Sequence, residues 1–146
     1  MADELRVRKI IERYFEHVGG DIDYADEIYH DDAVLEFPQS GERFEGAATF
    51  TEWRRQYPAD PATMRYRLRR VTCGDDLGVV ELSVSYDGVT WMQGVQLLEF
   101  RGDKVAHERI YVMDSWEAPE WRARWRSDTP PRPPSAPSTT GPRSRP

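Results

Sequence analysis

Three side chains in this sequence have the types and the spacing for proton chemistry on a small molecule: Glu108, Gln96 and Tyr14. A carboxyl in an apolar setting titrates high and can work as a general acid or base, while a phenol and an amide can donate to a ligand oxygen. The run 105–113 alternates in character, which sends Glu108, Ile110 and Val112 to one side and His107 to the other. Glu108 is then the one carboxylate predicted to face inward. Two other readings stay open: Glu108 pairs with an arginine such as Arg70 or Arg109, or the register slips by one residue and turns it to the other face. Asp114 either reaches the cavity mouth or caps a following helix. Tyr14 and Gln96 are either ligand donors or core residues whose polar atoms are satisfied within the protein.

Other chemistries find less support. His17 lies near the end of the first helical run, where the dipole favours a cation. His30 follows the second and could lie near a pocket entrance. No two histidines share metal-ligand spacing and Cys73 is the single cysteine, so no metal site and no internal disulfide are predicted. There is no glycine-rich phosphate loop, and no cofactor is expected. Arg65, Arg67, Arg69 and Arg70 form the one dense basic cluster, better read as partners for Glu81 or Glu99, or for a second subunit, than for nucleic acid. A net charge of -6 and a pI near 5.1 argue against nucleic acid and anionic membrane alike. An acidic start, Met1-Ala2-Asp3-Glu4, and the lack of a long apolar run predict a cytoplasmic protein with no membrane partner.

These side chains need elements to position them. Residues 3–18 carry Val7, Ile10, Ile11, Tyr14 and Phe15 at helical spacing, stopped by Gly19-Gly20. Asp21 can cap a second helix through about Tyr29, broken by Asp31-Asp32. Ala33–Phe37 reads as a strand ended by Pro38, and 39–44 as a turn and short strand. A third helix, about Ala47 to Gln56, shows Phe50 and Trp53 on one face. Four strands follow: Met64–Cys73, 78–86, Trp91–Phe100 and Val105–Met113, with Asp87-Gly88 as a hairpin turn. Ser115 caps a predicted last helix through Trp125. The domain is 1–126. From Ser127 on, seven of twenty residues are proline and none is a large apolar one, so 127–146 is predicted to be a disordered tail.

Helices packed on one curved antiparallel sheet leave a pocket between the two layers. If Val80, Leu82, Val84 and Tyr86 face it, the neighbouring strands add Met92, Gly94, Gln96 and Leu98. The helices add Tyr14, Tyr29 and Trp53, giving an apolar, aromatic cavity suited to a hydrophobic and even polycyclic ligand. The opposite face offers Trp91, Gln93, Val95 and Leu97, which a homodimer would cover. Trp116, Trp121 and Trp125 are expected to close one end of the barrel or to join that interface.

Residues 4–126 resemble the SnoaL-like branch of the nuclear transport factor 2-like superfamily. The segments that carry the resemblance are 31–43 (DDAVLEFPQSGER), 94–105 (GVQLLEFRGDKV) and 108–111 (ERIY), with the ending 116–122 (WEAPEWR) similar to that of uncharacterised actinobacterial members. The resemblance implies an α+β fold, a cone-shaped barrel with a curved sheet wrapped on N-terminal helices, often a homodimer. Relatives include polyketide cyclases, ketosteroid isomerases, limonene-type epoxide hydrolases and proteins that only bind or scaffold. Ketosteroid isomerases use a first-helix tyrosine, matched by Tyr14, and a base aspartate before a proline, where this chain has Phe37 before Pro38. Their second donor position holds Gln96. The epoxide hydrolases' Arg-x-Asp pattern is missing from 78–86, and their last-strand acid falls at Ile110. Neither catalytic set is complete.

The sequence therefore supports three readings. The first is a cofactor-independent cyclase, isomerase or hydrolase using Glu108 and Tyr14, with Gln96, Trp53, Tyr29, Phe37, Met92, Tyr86 and Ile110 around a hydrophobic substrate. The second is a non-catalytic ligand-binding protein. The third is a protein-interaction module using the sheet face or the tail.

Overall fold

The computed structural model describes residues 4–18, 20–58, 60, 62–129 and 138–140. Helix α1 (Glu4–His17) buries Val7, Ile11, Tyr14 and Phe15, the stripe that its apolar spacing dictates. Gly78 lets that stripe approach the sheet: a Cβ there would lie 2.2 Å from Ile11 Cδ1. The second helix is shorter than its capping signal predicts. Asp21 does cap α2 (Ile22–Ala25), accepting from Tyr24 N at 3.0 Å, but a 3-10 turn (Asp26–Ile28) follows and Tyr29 is already extended.

Tyr29 therefore opens strand β1 (Tyr29–Phe37) rather than ending a helix. Asp31 and Asp32 lie inside that strand, exposed, with Asp32 accepting from Arg101 Nη2 at 2.8 Å. Pairing with a neighbour overrides their low strand propensity. That neighbour brings a second difference. β1 runs antiparallel to β2 (Glu42–Glu45) but parallel to β6 (Lys104–Met113), with a register irregularity between Tyr29 and Val34. The sheet is thus mixed. Helix α3 (Ala47–Arg55) buries Phe50.

The remaining strands, β3 (Arg65–Cys73), β4 (Leu77–Ser85) and β5 (Met92–Arg101), meander antiparallel into β6. A shift between Leu68 and Arg70 leaves Arg67 opposite Ser83 and Arg70 opposite Glu81. The β4–β5 connection is longer than a two-residue hairpin. Asp87 Oδ1 accepts from Val89 N and Thr90 N at 2.8 and 2.7 Å, and Gly88 takes φ of 79°, which a side chain would disfavour.

The order is β2-β1-β6-β5-β4-β3-β7, so the sheet does not close on itself as a barrel would. β7 is Ser138–Thr140, antiparallel to β3. The rest of the proline-rich segment, 130–137 and 141–146, lies outside the described residues. The expected last helix is only a 3-10 segment (Glu120–Trp125), because Pro119, extended at ψ of 139°, prevents a helix from running in from Ser115. Ser115 Oγ instead donates to Trp91 O at 3.0 Å. Trp116, Trp121 and Trp125 do not plug the sheet's end; they are 77%, 71% and 67% exposed. No helix among the described residues is long and apolar enough to cross a membrane.

Candidate functional site

Between the helices and the sheet lies a cavity of about 190 Å3. Its wall follows from strand alternation and from one helical stripe. On the sheet, Phe37, Gln96 and Ile110 stand in one rank, since Gln96 pairs with Ile110 and Leu35 with Glu108 two residues before Phe37 and Ile110. Leu82 and Val84 continue that wall, and Gly94 keeps it low: a Cβ there would sit 3.0 Å from Leu82 Cδ1 and 3.3 Å from Tyr111 O. Helix α1 contributes Tyr14, and α3 contributes Trp53, Arg54 and Arg55. Rings pack around it: Trp53 lies 6.0 Å from Phe37 and 5.5 Å from Phe44, while Tyr57 stacks on Tyr86 at 5.3 Å.

One rank deeper is a buried polar chain. Glu108 is fully buried, flanked by Leu35 and Leu98, and its Oε1 accepts a hydrogen bond from Tyr29 Oη. Tyr29 Oη accepts in turn from Arg54 Nη2 at 3.3 Å. Arg54 Nη1 donates to Asp26 Oδ1, and Asp26 Oδ2 accepts from Thr51 Oγ1 at 2.7 Å. Arg54 and Asp26 keep only 10% and 5% of their side-chain surface exposed, so this is a desolvated ion pair. Glu108 Oε2 has no hydrogen-bond partner and no contact with solvent.

The electrostatics follow from burial. Desolvation lifts the Glu108 carboxyl to about 7, against the pull of the Arg54 guanidinium and the Tyr29 hydrogen bond and with a push from Asp26. Asp26 is also raised by burial, with Arg54 and Thr51 restraining the rise. Tyr14 and Tyr29 are both pushed above the ordinary phenol range, chiefly by burial, so both are donors at any physiological pH. With Asp26 matched to Arg54, a second buried anion has no dedicated cation, and Glu108 is held as a neutral acid until the pH passes neutrality.

Of the residues singled out in the sequence, Tyr14, Phe37, Trp53, Tyr86, Gln96 and Ile110 meet on the cavity wall. Glu108 and Tyr29 lie behind that wall, and Met92 is half-buried against the core away from it. Glu108 pairs with neither arginine considered for it: Arg109 donates to Glu99 at 2.7 Å on the outer face. His107 also faces outward, 2.6 Å from Glu36 Oε1, and His30 Nε2 lies 2.6 Å from Arg101 O. Asp26 and Arg54 were not singled out. A signal existed for each: Arg54 is four residues after Phe50 on the inward stripe of α3, and Asp26 is four after Ile22. Opposite charges on two inward stripes are a pair waiting to be matched. No group of three or more His, Cys, Asp or Glu that could hold a metal occurs among the described residues.

The fold that holds this site is shared with known proteins. The model of the SnoaL-like domain matches residues 11–108, and the chain belongs to that family. An NTF-2 like protein of unknown function from Burkholderia xenovorans LB400 is 35% identical, with a TM-score of 0.74 over 86% of this chain and 96% of that one. A candidate ketosteroid isomerase from Kribbella flavida DSM 17836 has a TM-score of 0.77 at 22% identity, over 89% and 94% of the two chains. The epoxide hydrolase/cyclase-like enzyme SalBIII, which takes part in pyran ring formation in the polyether salinomycin, has a TM-score of 0.65 at 20% identity over 77% and 94%. The last two share the fold. No curated protein sequence matches the chain.

Proposed function

We propose that this SnoaL-like protein is an enzyme performing cofactor-independent acid–base chemistry (cyclisation, isomerisation or hydration) on a hydrophobic small molecule. The observation that carries this reading is the Glu108 carboxyl, fully buried at the rank of side chains next to the cavity wall, lifted to about 7, with Oε2 left free. A general acid or base works best when its pKa lies near the working pH. In this reading Glu108 gives or takes the proton at Oε2. Tyr29 and the Arg54–Asp26 pair hold the carboxyl in place, and Tyr14 and Gln96 orient the ligand oxygen.

The test is exchange of the protons α to a carbonyl with solvent deuterium, followed by proton NMR on small aryl ketones. Wild type accelerates exchange over buffer, and Glu108→Gln lowers that acceleration by a factor on the order of 10² to 10⁴. Unchanged exchange in Glu108→Gln removes Glu108 from the mechanism. One observation favours a second reading, ligand binding without catalysis: Glu108 lies behind the wall and not on it. The proposal includes a homodimer that covers the outer face around Val95 and Leu97; sedimentation at the mass of a monomer throughout would remove it.

A further inference from the structure

The polar groups of the cavity wall are unevenly charged. Among the described residues no carboxylate lines it, whereas Arg54 and Arg55 both do. Arg55 is exposed and paired with Asp23. Arg54 is the buried cation of the wall, with 10% of its side-chain surface left open. Asp26 and Tyr29 offset the cost of burying it, taking one hydrogen bond each from Nη1 and Nη2.

A guanidinium has five N–H groups, and among the described residues no partner takes the other three. Access sets Arg54 apart from the other open polar atoms here. Trp53 Nε1, Gln96 Oε1 and Glu108 Oε2 are sealed from solvent without a partner, while the unpaired Nε of Arg54 is not sealed. The group is also held in place. Its Cζ lies 5.5 Å from the ring centroids of both Tyr29 and Trp53, and two hydrogen bonds tie down the two Nη atoms. A donor fixed in advance on a partly desolvated wall loses little on meeting an acceptor.

Charge narrows the class of that acceptor. Asp26 already matches Arg54, and Glu108 lies behind the same wall, so a full anion would bring an unbalanced charge into a desolvated region. A cation would meet Arg54 with no wall carboxylate to receive it. A neutral carbonyl oxygen adds no charge and gains a charge-assisted hydrogen bond, about twice as strong as a neutral one. The rings of Phe37, Trp53 and Tyr86 on the same wall suit an aromatic body.

We propose that Arg54 recognises the ligand of this cavity, its Nε–H donating to the carbonyl oxygen of a neutral aryl ketone. This rests on reading the cavity as the ligand site, and it gives Arg54 a direct contact in addition to its hold on Tyr29. A cation at a carbonyl oxygen draws electron density from the carbonyl and acidifies the adjacent C–H bonds, the change that proton transfer there requires.

Calorimetric titration of wild type tests it with para-dimethylaminoacetophenone, with para-isopropyl-dimethylaniline, which has the same shape and no carbonyl, and with para-dimethylaminobenzoate, which carries a full charge. The ketone binds about tenfold or more tightly than either analogue. With its carbonyl carbon isotope-labelled, the bound ketone shows an infrared stretch below its frequency in water. The double variant Asp26→Asn/Arg54→Met, which strands no charge, erases both the preference over the isopropyl compound and the lowered frequency. A merely structural Arg54 would leave the frequency the same in both proteins. Equal or tighter binding of either analogue to wild type, no binding of the ketone, or a wild-type frequency at or above that in water overturns the proposal, whether or not the variant folds. None of these readouts needs turnover. A lowered frequency without catalysed proton exchange upholds Arg54 and removes the acid–base reading; exchange without a lowered frequency does the opposite.

Discussion

Replacing Glu108 by Gln should make the protein more stable than wild type at high pH and change little at low pH. The Gln amide oxygen can still accept from Tyr29, and its NH2 takes the place of the protonated oxygen, so the variant mimics the neutral acid at every pH. In wild type the carboxyl titrates at about 7 in the folded protein and at its ordinary value of 4.5 when unfolded. Below 4.5 both states hold the proton and the group is neutral to stability. Between 4.5 and 7 the folded state binds more protons than the unfolded one, so stability falls as pH rises, and above 7 the loss is complete. At 1.36 kcal/mol for each pH unit between the two values, the loss is about 3 kcal/mol. Asp26 also titrates high in the folded state, but both proteins carry it and its contribution cancels. Urea unfolding of both proteins at pH 5 and at pH 8 measures the difference. Part of the loss is already present at pH 5, so between these two pH values the gap in favour of Glu108→Gln should widen by about 2.5 kcal/mol, or roughly 7 °C in melting temperature for a chain of this size. Parallel pH profiles, or wild type gaining on the variant as pH rises, would refute a neutral buried Glu108.

Three further outcomes follow from the same contacts. Tyr29→Phe removes the donor to Glu108 Oε1, so the carboxyl, observed by carbon NMR, should titrate above its wild-type midpoint; an unchanged or lower midpoint contradicts the hydrogen bond. Arg54→Met strands Asp26 in the interior and should cost about 3–5 kcal/mol in urea unfolding at pH 7, as breaking a buried pair does; a loss near zero would mean that Asp26 is already neutral. Gly78→Ala drives a methyl against Ile11, which is fully buried and has little room to turn, and should cost about 1–3 kcal/mol; an unchanged denaturation midpoint would show that α1 can lift from β4 freely.

Much of the wall was legible because period-two alternation survives where strands are regular. β4 and β5 run opposite each other without a shift, and Leu82, Val84, Gly94 and Gln96 fall on the inner face together. Trp53 was legible because it shares a helical stripe with Phe50. The losses cluster where geometry is irregular or the partner is remote. Tyr29 sits at the junction of a 3-10 turn and a strand whose register shifts just beyond it, so neither helical nor strand period assigns it. The parallel pairing of β1 with β6 leaves no local trace at all. Arg54 and Asp26 were passed over because the burial of each is explained only by the other, across 28 residues of sequence. Met92 satisfied the alternation yet lies off the wall, since the cavity ends before the first residue of β5.

The parallel β1–β6 pair has a consequence for how the molecule comes into being. Glu36 and His107, which bond across this seam, are 71 residues apart in sequence. During synthesis β1 has its hairpin mate β2 early, but its other flank waits until the final long strand has left the ribosome. Closing so long a loop is costly in entropy and slow. The nascent chain therefore carries a half-open sheet margin through most of translation, and conditions that delay the last third of the polypeptide should favour aggregation over assembly.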